Sequence, residues 1–230
     1  MAYATVQHSL LLNKLKLHRG LKQAPFQYML KILFNSFKHL KKILIHKYWV
    51  YYFCSIAGIK WQGIIHDLSK FSWIEFSNGV KYYSDTESPI AICKKENGYS
   101  EAWQHHKGRN PHHHVYWCDN FDEGTTAIKM PMKYAIEMLC DFLGAGMAYN
   151  KCSVEELFDK EYDFWENRKK EIYLHPQTLD FINQMMHSLK MSNDKILTLK
   201  QAKITWKWLD ELHNDIPANL NVRKYNVEKR

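Results

Sequence analysis

The sequence predicts an all-α fold. Apolar residues recur every three or four positions through most of the 230 residues, which is the spacing of a helix face and not the alternation of a strand. Glycine and proline number only 9 and 6, so long stretches run without a breaker. Ser72 and Ser153 are each followed three residues later by glutamate, the pattern of a helix start.

Taken in order, Gln7 to Leu21 intersperses leucines with basic residues, as in a short amphipathic helix. Pro25 fits the first turn of a second helix. Its apolar face of Leu33, Phe37, Leu40, Leu44, Trp49, Phe53 and Ile56 runs towards Ala57, where Gly58 is a stop. His46 lies inside that helix. A short helix from Trp61 to Leu68 is expected to carry His66 and Asp67. Their side chains would then point about 100° apart, with Lys70 one turn after His66 on the same face. Ser72 opens a helix to about Tyr83, and its capping box accounts for Glu75. A helix from Pro89 towards His106, irregular near Gly98, is broken by Gly108 to Pro111, with Asn110 as a cap.

Asp119 to Thr126 reads as a polar loop. Pro131 begins a strong helix through Tyr149 that places Asp141 among Met138, Leu139 and Phe142. Ser153 starts a charged helix to about Lys170, and helices over 177–190 and 199–213 precede a polar tail.

The formal charge is +8, unevenly spread: no Asp or Glu occurs before Asp67, whereas ten Lys and Arg do. That asymmetry favours an anionic partner such as a nucleotide, nucleic acid or phospholipid surface, against the plain alternative of solvated lysine-rich faces. No apolar run reaches the roughly 18–20 residues that cross a bilayer, and no signal peptide is evident. Membrane insertion is therefore not expected. Five scattered cysteines without a C-x-x-C pair fit a reducing, cytoplasmic setting and argue against a thiolate zinc site.

Chemistry-bearing residues gather in a few segments: His46, His66-Asp67, His105-His106, His112-His113-His114 and Asp141. A carboxylate or imidazole amid apolar neighbours is costly unless it is paired or bound to metal. Each alone reads more simply as a hydrogen-bonded core group. Together they offer imidazole and carboxylate donors from four helical segments, a set suited to Fe, Mn, Ni or Zn.

In this order the chain resembles the HD-domain superfamily of metal-dependent phosphohydrolases, and more closely a bacterial and phage family of HD-like proteins. The likeness rests on HKYWV (46–50), HDLSKFSWIEF (66–76), AWQHHKGRNPHHHVYW (102–117), MPMKYAIEMLCDFLGAG (130–146) and LHPQT (174–178). The resemblance implies an HD-like helical bundle over about 36–190, with a basic helical extension before it (1–35) and a helix and polar tail after it (191–230). It implies a first metal held by His46, His66, Asp67 and Asp141. A second would be held by His105 or His106 and by His112 or His113, with Asp67 bridging.

Lys70 matches a phosphate-contacting lysine, and Arg109 is a further candidate for substrate binding. The expected function is hydrolysis of a nucleotide-like phosphate ester by a metal-activated water, with Asp67 and Lys70 as catalytic groups. Two alternatives keep the same residues: a di-iron oxygenase, and a nucleic-acid-binding module with a structural metal and a basic N-terminal segment.

Overall fold

In the computed structural model residues 2–119, 125–150 and 152–221 are described, with backbone alone for 2–25, 150, 220 and 221. One helix, α1 (Ala2–Ile56), replaces the two expected on either side of Pro25; a proline removes a hydrogen bond or kinks a helix without having to end it. Gly58, at φ +76, does end it.

The face that α1 buries matches the stripe read from the sequence only over its last two turns, at Trp49, Phe53 and Ile56. Ile43, Val50, Phe53, Cys54 and Ala57 are buried, with His46 among them, whereas Leu33, Phe37 and Leu44 are exposed. The helix is apolar on two sides, and periodicity alone does not say which side meets the core.

The short helix α2 (Lys60–Ile65) stops before the His-Asp pair instead of carrying it. His66 leaves helical geometry at ψ 129, Asp67 adopts a left-handed conformation, and a 3-10 turn follows over Leu68–Phe71. Helix α3 (Trp73–Lys81) starts at Ser72, whose hydroxyl accepts from the Glu75 amide. The single irregular helix expected next is two helices, α4 (Pro89–Asn97) and α5 (Glu101–Lys107). Gly98 at φ +77 ends the first, and Ser100 caps the second. Asn110 caps no helix; it is buried, with its amide on Ser69 and His106.

Strands β1 (Cys118–Asp119), β2 (Thr126–Ile128) and β3 (Asn219–Asn221) form a small antiparallel sheet in the order β1-β2-β3. Two- and three-residue strands are too short to show alternation. The sheet brings the segment after the last helix beside the residues that lead into the central helix: Ala127 faces Leu220, and Ile128 faces Asn219. Residues 120–124 of the expected polar loop lie outside the described residues.

Helix α6 (Met132–Asn150) is the centre of the bundle. It packs on α1 and on α7 (Val154–Arg168), and touches α8 (Pro176–Met191) and α10 (Ala202–Leu212). The remaining helix, α9 (Lys195–Lys200), joins α8 to α10 and touches α1. Val50, Phe53, Leu139, Leu143, Trp165 and Phe181 are fully buried at the heart of the core. Trp206 joins them, while Trp208 on the same helix is 52% exposed. His175 caps α8 through Nδ1, which accepts from the Gln177 amide, while Nε2 donates to the Pro217 carbonyl at 2.8 Å. Among the described residues no helix is long and apolar enough to cross a membrane.

Close contact between α1 and α6 sets the spacing of the site. A Cβ on Gly144 would collide with the Val50 side chain and press on its backbone nitrogen. Gly144→Ala is therefore expected to push α1 away from α6 and to cost about 1–3 kcal/mol. That corresponds to roughly 2–12 °C in Tm for a chain of this size, read by thermal unfolding.

Candidate metal centre

His46 comes from α1, Asp141 from α6, and His66 and Asp67 from the turn between α2 and α3. Asp67 is the only described non-glycine residue at positive φ (φ 54), a conformation that aspartate tolerates better than most and that still costs about 1–2 kcal/mol. Two lysines hold this turn. Lys47 Nζ donates to the carbonyls of Ile64 and His66 at 2.6 and 2.7 Å, closing the C-terminal end of α2. Lys70 Nζ lies 2.6 Å from Asp67 Oδ2. Because the helix ends before His66, Lys70 meets Asp67 and does not stack over His66.

The donor atoms converge. His46 Nε2 lies 3.3 Å from His66 Nε2, 3.5 Å from Asp67 Oδ2 and 3.1 Å from Asp141 Oδ1. His66 Nε2 lies 3.2 Å from Asp67 Oδ2 and 3.3 Å from Asp141 Oδ1. Ligands about 2.0–2.1 Å from one ion stand roughly 2.8–3.4 Å apart in octahedral or tetrahedral arrangements. Hydrogen bonding alone does not account for this packing. A ring nitrogen carries at most one hydrogen, yet His46 Nε2 has three such neighbours. Burial alone would depress the pKa of His66, but Asp67, Asp141 and Glu137 outweigh it and raise it well above the ordinary histidine range. The field at this point draws a cation.

A second set shares Asp67. Its Oδ1 lies 3.4 Å from His106 Nε2 and 3.5 Å from His112 Nε2. These atoms and one from His113 all stand within 4.8 Å of one another. Asp67 Oδ1, His112 Nε2 and His113 Nε2 are buried without a hydrogen-bond partner, a costly state that a bound cation would relieve. Imidazole nitrogens and carboxylate oxygens, orphaned and mutually close, fit a divalent transition metal in each set.

Behind the donors stand two carboxylates: Glu137, which sequence reasoning passed over, and Glu75, which it assigned to a capping box. Glu137 Oε1 takes His66 Nδ1 at 2.9 Å and His112 Nδ1 at 3.2 Å, and Oε2 accepts from Gln62 at 2.8 Å. Burial works against this carboxylate, yet the bonds from His112 and His66 hold its pKa at about 2. Glu75 takes His105 Nδ1 at 2.6 Å and His106 Nδ1 at 2.8 Å. Each acid fixes a hydrogen on Nδ1, so the Nε2 lone pairs of His66, His112 and His106 face the centre. Glu75 thus bonds to two histidines as well as lying in the first turn of α3. Glu137 was within reach of the sequence, since it lies four residues before Asp141 and so on the same helix face.

The expected site residues divide accordingly. His46, His66, Asp67, His106, His112, His113 and Asp141 are brought together, with Lys70 against them. His105 belongs to none of the donor groups; its ring is turned to Glu75. Arg109 is exposed, with its guanidinium on the His105 carbonyl at 3.4 Å.

A cavity of about 270 Å³ opens onto the cluster. Its walls include His46, Lys70, His106, His113 and Asp141 on the donor side, with His39, Lys42, Trp103 and Tyr149 beyond them. Lys70 has its pKa raised despite burial, because Asp67 and Asp141 stand beside it, so it enters the cavity as a cation.

Fold and site together define an all-α protein with a buried histidine–carboxylate centre able to hold metal. The chain belongs to the Family of unknown function (DUF5662), which matches residues 35–188. Searches of curated proteins and of solved structures find no match.

Proposed function

We propose that this protein is a metal-dependent phosphohydrolase acting on a small, nucleotide-like phosphate ester. The observation that carries the reading is the divided carboxylate of Asp67. Oδ2 meets His46 and His66, which form one donor group with Asp141, and Oδ1 meets His106 and His112. The resemblance to HD-domain phosphohydrolases supports the same assignment. Fe, Mn, Ni or Zn held by these residues would lower the pKa of a water and neutralise phosphoryl oxygens.

The chain's own groups supply the rest. Lys70 Nζ, anchored by Asp67 at the cavity wall, presents a fixed positive charge to a phosphate oxygen, where it counts most as negative charge develops. Asp67, held in place by Lys70, orients water beside the phosphate. The Trp103 ring offers a flat apolar wall for the organic part of the ester. The cationic contact is assigned to Lys70 and not to Arg109, which is absent from the cavity wall.

The test is elemental analysis of the purified protein, followed by a panel of nucleotides and p-nitrophenyl phosphate with each of the four metals under anaerobic conditions. Hydrolysis is expected without oxygen. Lys70→Met is expected to lower kcat/KM about 10²–10³-fold while metal content stays at the wild-type level. Absence of bound metal, or no hydrolysis with any of the four, rejects the reading. Turnover that requires iron and oxygen moves the same donors to the di-iron oxygenase alternative.

A further inference from the structure

The outer side of α1 carries a second apolar stripe that the bundle does not use. Phe26, Leu30, Leu33, Phe37, Leu40 and Leu44 follow one another at steps of 4, 3, 4, 3 and 4 residues. Leu40 is half-buried; the exposure of the others runs from 46% at Leu30 to 66% at Phe37. Alternating steps of three and four are the a/d pattern of a coiled-coil seam. A flat apolar surface would ask only for a broad stripe; this spacing asks for another helix with a matching row. We infer that α1 pairs with α1 of a second copy of this chain along this seam, making the protein a homodimer.

Charge placement agrees with a helix partner. With Phe26 at a d position, the flanking e and g positions are Gln27, Met29, Phe34, Ser36, Lys41, Ile43 and Tyr48. Lys41 is the one charge among them, so pairing does not set lysine rows against each other. Lys31, Lys38 and Lys42 fall on positions turned away from the seam, and Lys38 already pairs with Asp85 at 2.9 Å.

Area agrees as well. At about 200 Å² for a large side chain, the exposed fractions of the seam residues with Met29 and Phe34 amount to roughly 800 Å² per copy, the standard share of a stable interface. The row spans about 27 Å of helix at 1.5 Å per residue. The seam also lies away from the buried side of α1 and from His39, Lys42 and His46, which line the cavity, so pairing leaves that opening free.

The experiment is sedimentation and light scattering of the full chain between about 5 and 100 µM, a range that bounds a dissociation constant of micromolar order. The mass expected is twice the 27.5 kDa of one chain. Leu33→Glu with Phe37→Glu is expected to give a monomer with unchanged helical circular dichroism and metal content, whereas Lys31→Glu, off the seam, remains dimeric. Should the double change unfold the protein, Phe37→Gln alone is expected to raise the dimer dissociation constant at least about tenfold.

A wild-type monomer at 100 µM overturns the inference, as does a folded double variant that still dimerises. A wild-type monomer that pellets with phosphatidylglycerol vesicles, and loses that binding in the double variant, assigns the stripe to an anionic membrane surface and overturns it too.

Discussion

Asp67→Ala is expected to empty both halves of the centre at once, while His106→Ala empties one. Asp67 is the residue common to both donor sets; His106 serves only the set on Oδ1. Elemental analysis after dialysis should therefore find both metal equivalents lost in the first variant and one retained in the second. Metal that binds the folded protein and not the unfolded chain stabilises it, by about 4 kcal/mol at a thousandfold excess over Kd. The difference in Tm between metal-loaded and chelated protein should thus be large for wild type and close to zero for Asp67→Ala.

Asp67→Gly is the informative companion. It loses metal equally, but it removes the left-handed penalty and should be more stable than Asp67→Ala by about 1 kcal/mol. Phosphate-ester hydrolysis should fall by at least about 10³-fold in both. Two metal equivalents in Asp67→Ala would show that the donors are not organised around this carboxylate.

What the sequence made legible was residue type and segment, and what it hid was conformation. The all-α class followed from periodicity because α7 and α8 bury one stripe each, while α6, at the centre, is buried without a break from Ala135 to Cys140. α1 defeated the same reasoning over its middle: it is apolar on two sides, and the expected stripe is exposed at Leu33, Phe37 and Leu44 although its end at Phe53 is buried. His66 and Asp67 were read as a helical pair, but Lys60–Ile65 is too short to carry them, and the left-handed turn at Asp67 has no glycine to advertise it. That turn lets one carboxylate face two sets of imidazoles, which a regular helix with its fixed 100° step does not do.

Distance in sequence hid the outer partners. Glu75 lies about 30 residues from His105 and His106, and Gln62 lies 75 from Glu137. Helix packing alone brings each pair together. Conversely, short sequence rules worked where the physics is local: Ser72 and Ser153 cap helices and Gly58 ends one, although Gly98 and Ser100, the stop and the cap that divide α4 from α5, were read only as an irregularity. The site is therefore a product of tertiary packing between locally predictable pieces.

Glu137 is where that packing can be weighed against charge. Its single oxygen Oε1 holds the Nδ1 atoms of His66, in the first set, and of His112, in the second. Glu137→Gln keeps the volume and one oxygen for both rings, and Gln62 can turn its amide to face the new one. Orientation survives and the negative charge goes, so a loss of about tenfold in metal affinity is expected. Glu137→Ala also frees both rings to rotate and should lose about 100-fold.

The alanine variant further leaves two ring N–H groups and the Gln62 amide buried without partners, at roughly 1–3 kcal/mol for each unsatisfied group. It should melt lower than the glutamine variant even in chelator. Because one residue serves both sets, the two metal equivalents should weaken together in a titration, not in sequence. If Glu137→Ala bound both at wild-type affinity, the imidazoles would have to be held by their packing alone, and the carboxylate would be a neutral bystander to the centre.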